Sequence, residues 1–140
     1  DAIVLGPGSW YTSVLPHLLV PGVRAALAGL TCPKILVLNL DGKTIPAGDE
    51  FMYSTQDFTS AQYLRDWYRQ FPDVTLDVVV ADPSCVNNLE ELEIACSDVG
   101  AELVFAEVAD KDAVKAGLSA RHDPDLLVGA LGTLLPHGNI

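Results

Sequence analysis

The sequence predicts an open α/β fold: a mostly parallel sheet with helices on both faces, Rossmann-like in character. Four short runs are almost wholly apolar and rich in Val, Ile and Leu, without in/out alternation, as expected of strands covered on both faces. Helical patterns separate these runs, which is the order of βαβ units joined by right-handed crossovers. Hydrophobic residues make up 49% of the 140 residues, ample for the core of one domain.

The first strand, Ala2 to Leu5, runs straight into the turn-rich stretch Gly6-Pro7-Gly8-Ser9-Trp10-Tyr11-Thr12-Ser13. A helix over 22–29 follows, with Pro21 where a first-turn proline is tolerated. Ile35 to Leu40 is the second strand. The irregular stretch from Asp41 to about Asp57 exceeds the usual ~2–6 residues between strand and helix and reads as a ligand loop or lid. Thr59 or Ser60 caps a helix reaching Phe71, in which Trp67 and Tyr68 read as core and surface residues. The third strand spans Leu76 to Ala81, and Asn87 or Asn88 caps the next helix, which runs to Val99. Its Glu90, Glu91 and Glu93 are expected on a solvated face opposite Leu89, Leu92 and Ile94. The fourth strand covers Glu102 to Ala106. Asp123-Pro124-Asp125 opens a terminal amphipathic helix with acids at its positive end, weakening at Gly129 and Gly132 and ending near Pro136.

The formal charge of −11, with only eight Lys and Arg, argues against nucleic acid and anionic lipid surfaces as partners. Any phosphorylated ligand must then be attracted mainly by backbone N–H groups and helix N-termini. Three cysteines without C-x-x-C spacing indicate neither a zinc site nor a disulfide framework. No apolar run reaches the roughly 18 residues of a membrane span, and no signal peptide is evident, so a cytoplasmic protein is expected. The chain begins at Asp1 without Met and enters a strand at once, as a cut piece would. A single, partial α/β domain over residues 1–140 is expected.

Ligands of such sheets bind beyond the C-terminal ends of the strands, so the residues that follow each apolar run are the candidates. In the glycine-rich stretch, Gly6 and Gly8 allow positive φ and close approach, and Ser9, Thr12 and Ser13 offer hydroxyls. Pro7 removes one N–H, no Walker lysine is present, and the spacing is not G-x-G-x-x-G. An anion cradle and a plain strand-to-helix turn both fit. Ser9 is no nucleophile elbow, because Tyr11 stands where the last glycine of G-x-S-x-G belongs. His17, in an apolar segment, reads as packed rather than as a base. His122 beside Asp123 reads either as a pH-sensitive pair or as the neighbour of a helix cap. Asp41 and Asp82 follow separate strands and suit either Mg²⁺ or a ribose hydroxyl, or plain loop solubility. Asn39 is the first polar side chain after KILVL and can donate and accept toward a sugar or base, or bond to a loop.

From Ala2 to Leu40 the order of motifs resembles the bacterial gluconeogenesis-factor proteins called YvcK, related to the CofD phospholactate transferases. There a strand leads into G-P-G-S-x-[YF]-T-S, then P-x-L-L-V-P-G-[IV], a short helix and a strand ending in asparagine. Here these are Gly6 to Ser13, Pro16 to Val23 and Ile35 to Asn39. STQDFTSAQYL is similar to the family's E-T-x-G-F loop: Thr55 and Phe58 match, Ser54 replaces the acid, Asp57 replaces the glycine, and Gly42 to Tyr53 resembles an insertion. DVVVADPS, GAELVFAEVA and RHDPDLL resemble the actinobacterial branch. The family's amino-terminal G-G-G-T-G segment is absent, so the chain resembles the carboxy-terminal half of such a protein. The resemblance implies binding of a nucleotide diphosphate sugar such as a UDP-sugar, homodimers, no required cofactor, and a cytoplasmic regulatory role linking carbon supply to envelope growth and cell shape. The ligand contacts it implies are Gly6, Gly8, Ser9, Thr12, Ser13, Asn39 and Thr55. Its CofD branch implies instead a transferase that moves phospholactate from a nucleotide-activated donor with Mg²⁺. A third reading is an acidic module that docks a protein partner.

Overall fold

A computed structural model describes residues 1–40, 59–116 and 120–135 of the chain. Four strands, β1 (Ile3–Leu5), β2 (Lys34–Val37), β3 (Val78–Ala81) and β4 (Glu102–Phe105), form one sheet in the order β1-β2-β3-β4. Every neighbouring pair is parallel. Residues in register across parallel strands share a face, so Leu5, Leu36, Val79 and Leu103 point one way, and Val4, Ile35 and Val78 the other.

The first face carries the larger core. Leu36 and Val79 pack there with residues from α1 (Leu15–Leu19), α2 (Pro21–Gly29), α3 (Ser60–Gln70) and α4 (Leu89–Val99), among them Leu18, Leu27, Leu64, Trp67 and Leu92. On the second face Ile35, Val37 and Val80 meet Leu127, Leu131 and Leu134 of α6 (Pro124–Leu134). Helices therefore cover both faces, as the unbroken apolar runs require. A short helix, α5 (Lys111–Lys115), lies between β4 and α6.

The helix starts are built as their sequences dictate. Thr59 and Gln62 form a capping box: Thr59 Oγ1 accepts from the Gln62 N–H at 3.3 Å, and Gln62 Oε1 accepts from the Thr59 N–H at 2.7 Å. Asn88 caps α4 through the Glu91 N–H, and Asp123 caps α6 through the N–H groups of Asp125 and Leu126. Gly100, at φ +73°, closes α4 in the left-handed region.

Several expectations are corrected. Of the inner strands β2 is buried throughout and β3 at all but Val78; β1 and β4 are sheet edges, and Val4 and Phe105 are exposed there. The second strand starts at Lys34 and its ladder strand ends at Val37 rather than Leu40, and the third starts at Val78 rather than Leu76. On α4 the buried stripe is Leu92, Ala95 and Cys96, at i, i+3 and i+4, whereas Leu89 sits at the helix start and Ile94 falls on the opposite side, both exposed. His17 is exposed beside a buried Leu18, because one turn of α1 cannot face both residues inward. The stretch from Asp41 to Asp57, expected as a ligand loop, lies outside the described residues, as do Asp41 and Thr55 themselves.

Trp67 ties the first face together. It is 1% exposed, and its indole N–H donates to the Val74 carbonyl at 2.8 Å, fixing the turn that leads into β3. Trp67→Ala is expected to cost about 3–5 kcal/mol of stability, from the cavity left and the lost bond. A urea unfolding curve measures it.

Candidate functional site

The glycine-rich stretch leaves β1 and turns immediately at the sheet's C-terminal edge. Gly6 adopts φ +80°, and a Cβ there would stand 2.6 Å from the Val37 carbonyl oxygen. Glycine is thus required twice over, by conformation and by the close approach of the loop to β2. Gly8 lies equally close to the returning chain: its Cβ would meet Ser13 Cβ at 2.7 Å.

From Trp10 to Val14 the backbone makes one π-helical turn that continues into α1. The Ser9 carbonyl accepts from the N–H groups of Ser13 at 2.8 Å and Val14 at 3.3 Å. The N–H groups of the first turn point back toward Ser9 and have no carbonyl of their own turn to meet. Trp10 is buried and lies 5.5 Å from the Tyr63 ring and 5.6 Å from the Trp67 ring, which fastens the loop to α3.

The result is a recess of about 50 Å³ among the loop, the end of β2 and the first turn of α3. Gly8, Ser9, Trp10, Asn39, Ser60 and Tyr63 are among its walls. Gly8, Ser9 and Asn39, predicted from the sequence, thus come together. Gly6 and Ser13 line instead a neighbouring cavity of about 260 Å³, with His17, Val23 and Leu27, on the β1 side of the loop. Thr12 is exposed and lines neither. Ser60 and Tyr63 are additions the sequence reading missed; the Thr59 cap, which fixes where α3 begins, was the available signal.

The electrostatics of the recess come from the backbone. Two helical N-termini, those of the Trp10 turn and of α3, converge on it, and each brings partial positive charge. Among the described residues no Lys or Arg lines it. Arg24, Arg65, Arg69, Lys111 and Arg121 are engaged with Asp73, Glu91, Asp66, Glu107 and Asp110, and the buried Lys34 ammonium donates to the Leu30 carbonyl.

Asp82, the acid at the end of β3, is 4% exposed and has a full set of donors. Oδ1 accepts from Ser84 N–H at 2.9 Å and Ser84 Oγ at 2.6 Å, and Oδ2 from the N–H groups of Val108 at 2.8 Å and Ala109 at 2.9 Å. Burial pushes its pKa up, but these hydrogen bonds outweigh burial and hold it below the usual carboxylate range. The carboxylate staples the β3 end to the segment after β4 and is occupied as it stands. Among the described residues no group of three His, Cys, Asp or Glu could hold a metal ion, and Cys32, Cys85 and Cys96 form no disulfide.

Residues 1–95 match the family described as 2-phospho-L-lactate transferase CofD. The chain belongs to the CofD family. Within it, the gluconeogenesis-factor homologue of Mycobacterium leprae is 39% identical over 131 residues, covering 94% of this chain and 33% of the relative. The gluconeogenesis factor of Halalkalibacterium halodurans is 55% identical over 40 residues, 29% of this chain and 12% of the relative. A crystal structure of a UPF0052-family protein from Bacillus halodurans superposes with TM-score 0.65 at 22% identity, over 93% of this chain and 42% of that one, and so shares the fold. The chain spans about a third of the length of the Mycobacterium leprae relative.

The lowered pKa of Asp82 sets a sign. Its ionised form is favoured in the fold, so its contribution is complete above the unfolded carboxylate value of about 3.9 and is lost as pH falls through the lower folded value. Asp82→Asn is expected to cost about 1.5–3 kcal/mol at neutral pH, since an amide NH₂ must face N–H donors. Unfolding midpoints across the acid range should also fall less steeply for this variant than for the parent.

Proposed function

We propose that this chain contributes the phosphate-binding wall of a nucleotide-sugar site in a regulatory protein of central carbon metabolism. The observation that carries the reading is the convergence of two helical N-termini and Asn39 on one recess that, among the described residues, no cationic side chain lines. A chain of net charge −11 that bound a free cation or a basic peptide would aim carboxylates at its site; among the described residues none lines this recess. A diphosphate meets the requirement: its oxygens take the N–H groups around Gly8 to Trp10, and Ser9 and Ser60 add hydroxyls. Asn39, exposed at the rim, is left for the sugar or base. Thr12, Ser13 and Thr55 remain family-implied contacts, the first two displaced from the recess.

Among the described residues the recess, about 50 Å³, has the size of a phosphate group rather than of a whole nucleotide sugar. The rest of the ligand would be held by sequence outside it. In the parent protein the reading extends to a cytoplasmic homodimer that senses a UDP-sugar and adjusts carbon flow, envelope growth and cell shape.

The family match supports a second reading, a transferase of nucleotide-activated phospholactate. That chemistry calls for Mg²⁺ and carboxylates free to hold it. Asp82 does not fit, because both its oxygens already accept from four donors.

Calorimetry on the full-length parent with a panel of UDP-sugars tests the proposal. Saturable binding is expected, weakened at least about tenfold, or 1.4 kcal/mol, by Gly8→Val, whose side chain would meet Ser13 and reshape the loop. No heat with any UDP-sugar, or equal affinity in a folded Gly8→Val variant, would remove the idea.

A further inference from the structure

A second cavity, of about 260 Å³, lies across the glycine-rich loop from the recess, at the outer edge of β1. Its walls are largely aliphatic, with Val4 of β1 and Val23 and Leu27 of α2 among them, and Ser13 and His17 bring the polar side chains. Among the described residues no Asp, Glu, Lys or Arg lines it. Sites for drug-sized ligands run to about 300–1,000 Å³, so this space suits a single uncharged ring system rather than a whole nucleotide.

The backbone of β1 narrows the chemistry. β1 stands at one end of the sheet order and has β2 on one side only. The Ile3 N–H donates to the Pro33 carbonyl at 2.8 Å, so Ile3 faces β2. In a parallel ladder the next residue faces the other way, and Val4, itself a wall of the cavity, turns its N–H and carbonyl to the side where no described strand meets them. A donor beside an acceptor is complemented by a flat group whose edge carries an acceptor beside a donor. The imide edge of uracil, a ring N–H next to a carbonyl, has that form. A phosphate has no such donor, and an aliphatic chain has neither group.

The two spaces are neighbours. Val14 borders both, and between them the loop folds so tightly that a Cβ on Gly8 would stand 2.7 Å from Ser13 Cβ. They are one loop apart, as the base and phosphates of a nucleotide are one ribose apart. We propose that this cavity is the nucleobase subsite: uracil lies against Val4, Val23 and Leu27 with its imide edge on the Val4 backbone, the phosphates occupy the recess, and Asn39 is left for the sugar. This rests on the reading of the recess as a nucleotide-sugar site. Gly6 and Ser13, which the recess leaves aside, line the base subsite.

Two measurements on the full-length parent test it. With a UDP-sugar bound, nuclear Overhauser effects should connect the uracil ring protons with the methyl groups of Val4, Val23 and Leu27. Val23 is exposed, so Val23→Trp fills the cavity and leaves the core intact; it should weaken UDP-sugar binding at least about tenfold and leave the affinity for inorganic pyrophosphate unchanged, whereas Gly8→Val should weaken both. A bound UDP-sugar without those Overhauser effects, or equal UDP-sugar affinity in folded Val23→Trp, overturns the proposal. So does a Val4 amide already slow to exchange in the ligand-free parent, since polypeptide then occupies the edge. Pyrophosphate that binds as tightly as any uracil nucleotide removes the base subsite and leaves the recess standing. If neither pyrophosphate nor any UDP-sugar binds, the reading of the recess fails, and uridine, which has no phosphate, decides the cavity alone: transfer of saturation from the Val4 and Val23 methyl groups to its ring supports the subsite, and its absence overturns it.

Discussion

The aromatic contact of Trp10 with Tyr63 and Trp67 is the interaction on which the site depends. The loop after β1 has few means of holding its shape: two glycines, a proline and small hydroxyl residues bury little. Trp10 supplies the missing area by entering the core beside α3, and Trp67 is itself fixed through its bond to Val74. One packing contact thus sets the distance between two helical N-termini, and so the recess between them.

That arrangement explains how an acidic chain can be suited to an anion. Net charge acts over the whole surface, but in salt it is screened within about 8–10 Å, while backbone dipoles at a helix start act at contact. Most cations of the described fold are paired with acids away from the recess, so the local field there is set by N–H groups. The same logic separates the two strand ends that carry a candidate polar side chain. At β2 the first polar residue, Asn39, stays exposed at the rim; at β3 Asp82 is drawn inward to satisfy four donors and becomes part of the frame.

Much of the fold was legible in the sequence because it depends on local patterns. Apolar runs marked the four strands, and Thr59, Asn88 and Asp123 marked helix starts through side chains that reach their own first turn. Membership of the family was legible too, from the motifs between Ala2 and Leu40. What local pattern could not reach was anything set by contact between distant segments. The exposure of Val4 and Phe105 follows from strand order, not from strand composition. Trp10 could not be told from a surface aromatic until α3 was packed on it. Ser60 and Tyr63 join the recess only through that packing, and Ser13 leaves it because the π-helical turn points it to the β1 side. An acid after a strand looks the same whether it awaits a metal or accepts from its own backbone, as Asp82 does.

In the proposed site the backbone N–H groups of two converging helix starts receive the phosphates. Amide chemical shifts of the full-length parent, recorded as a UDP-sugar is added, test this most directly. The largest changes are expected at the amides of Gly8 to Trp10 and of Ser60 and Ala61, with the Asn39 side-chain amide following. Saturable binding that leaves those amides unmoved, and shifts instead the cavity around His17 and Val23 or the acidic face of α4, would contradict it.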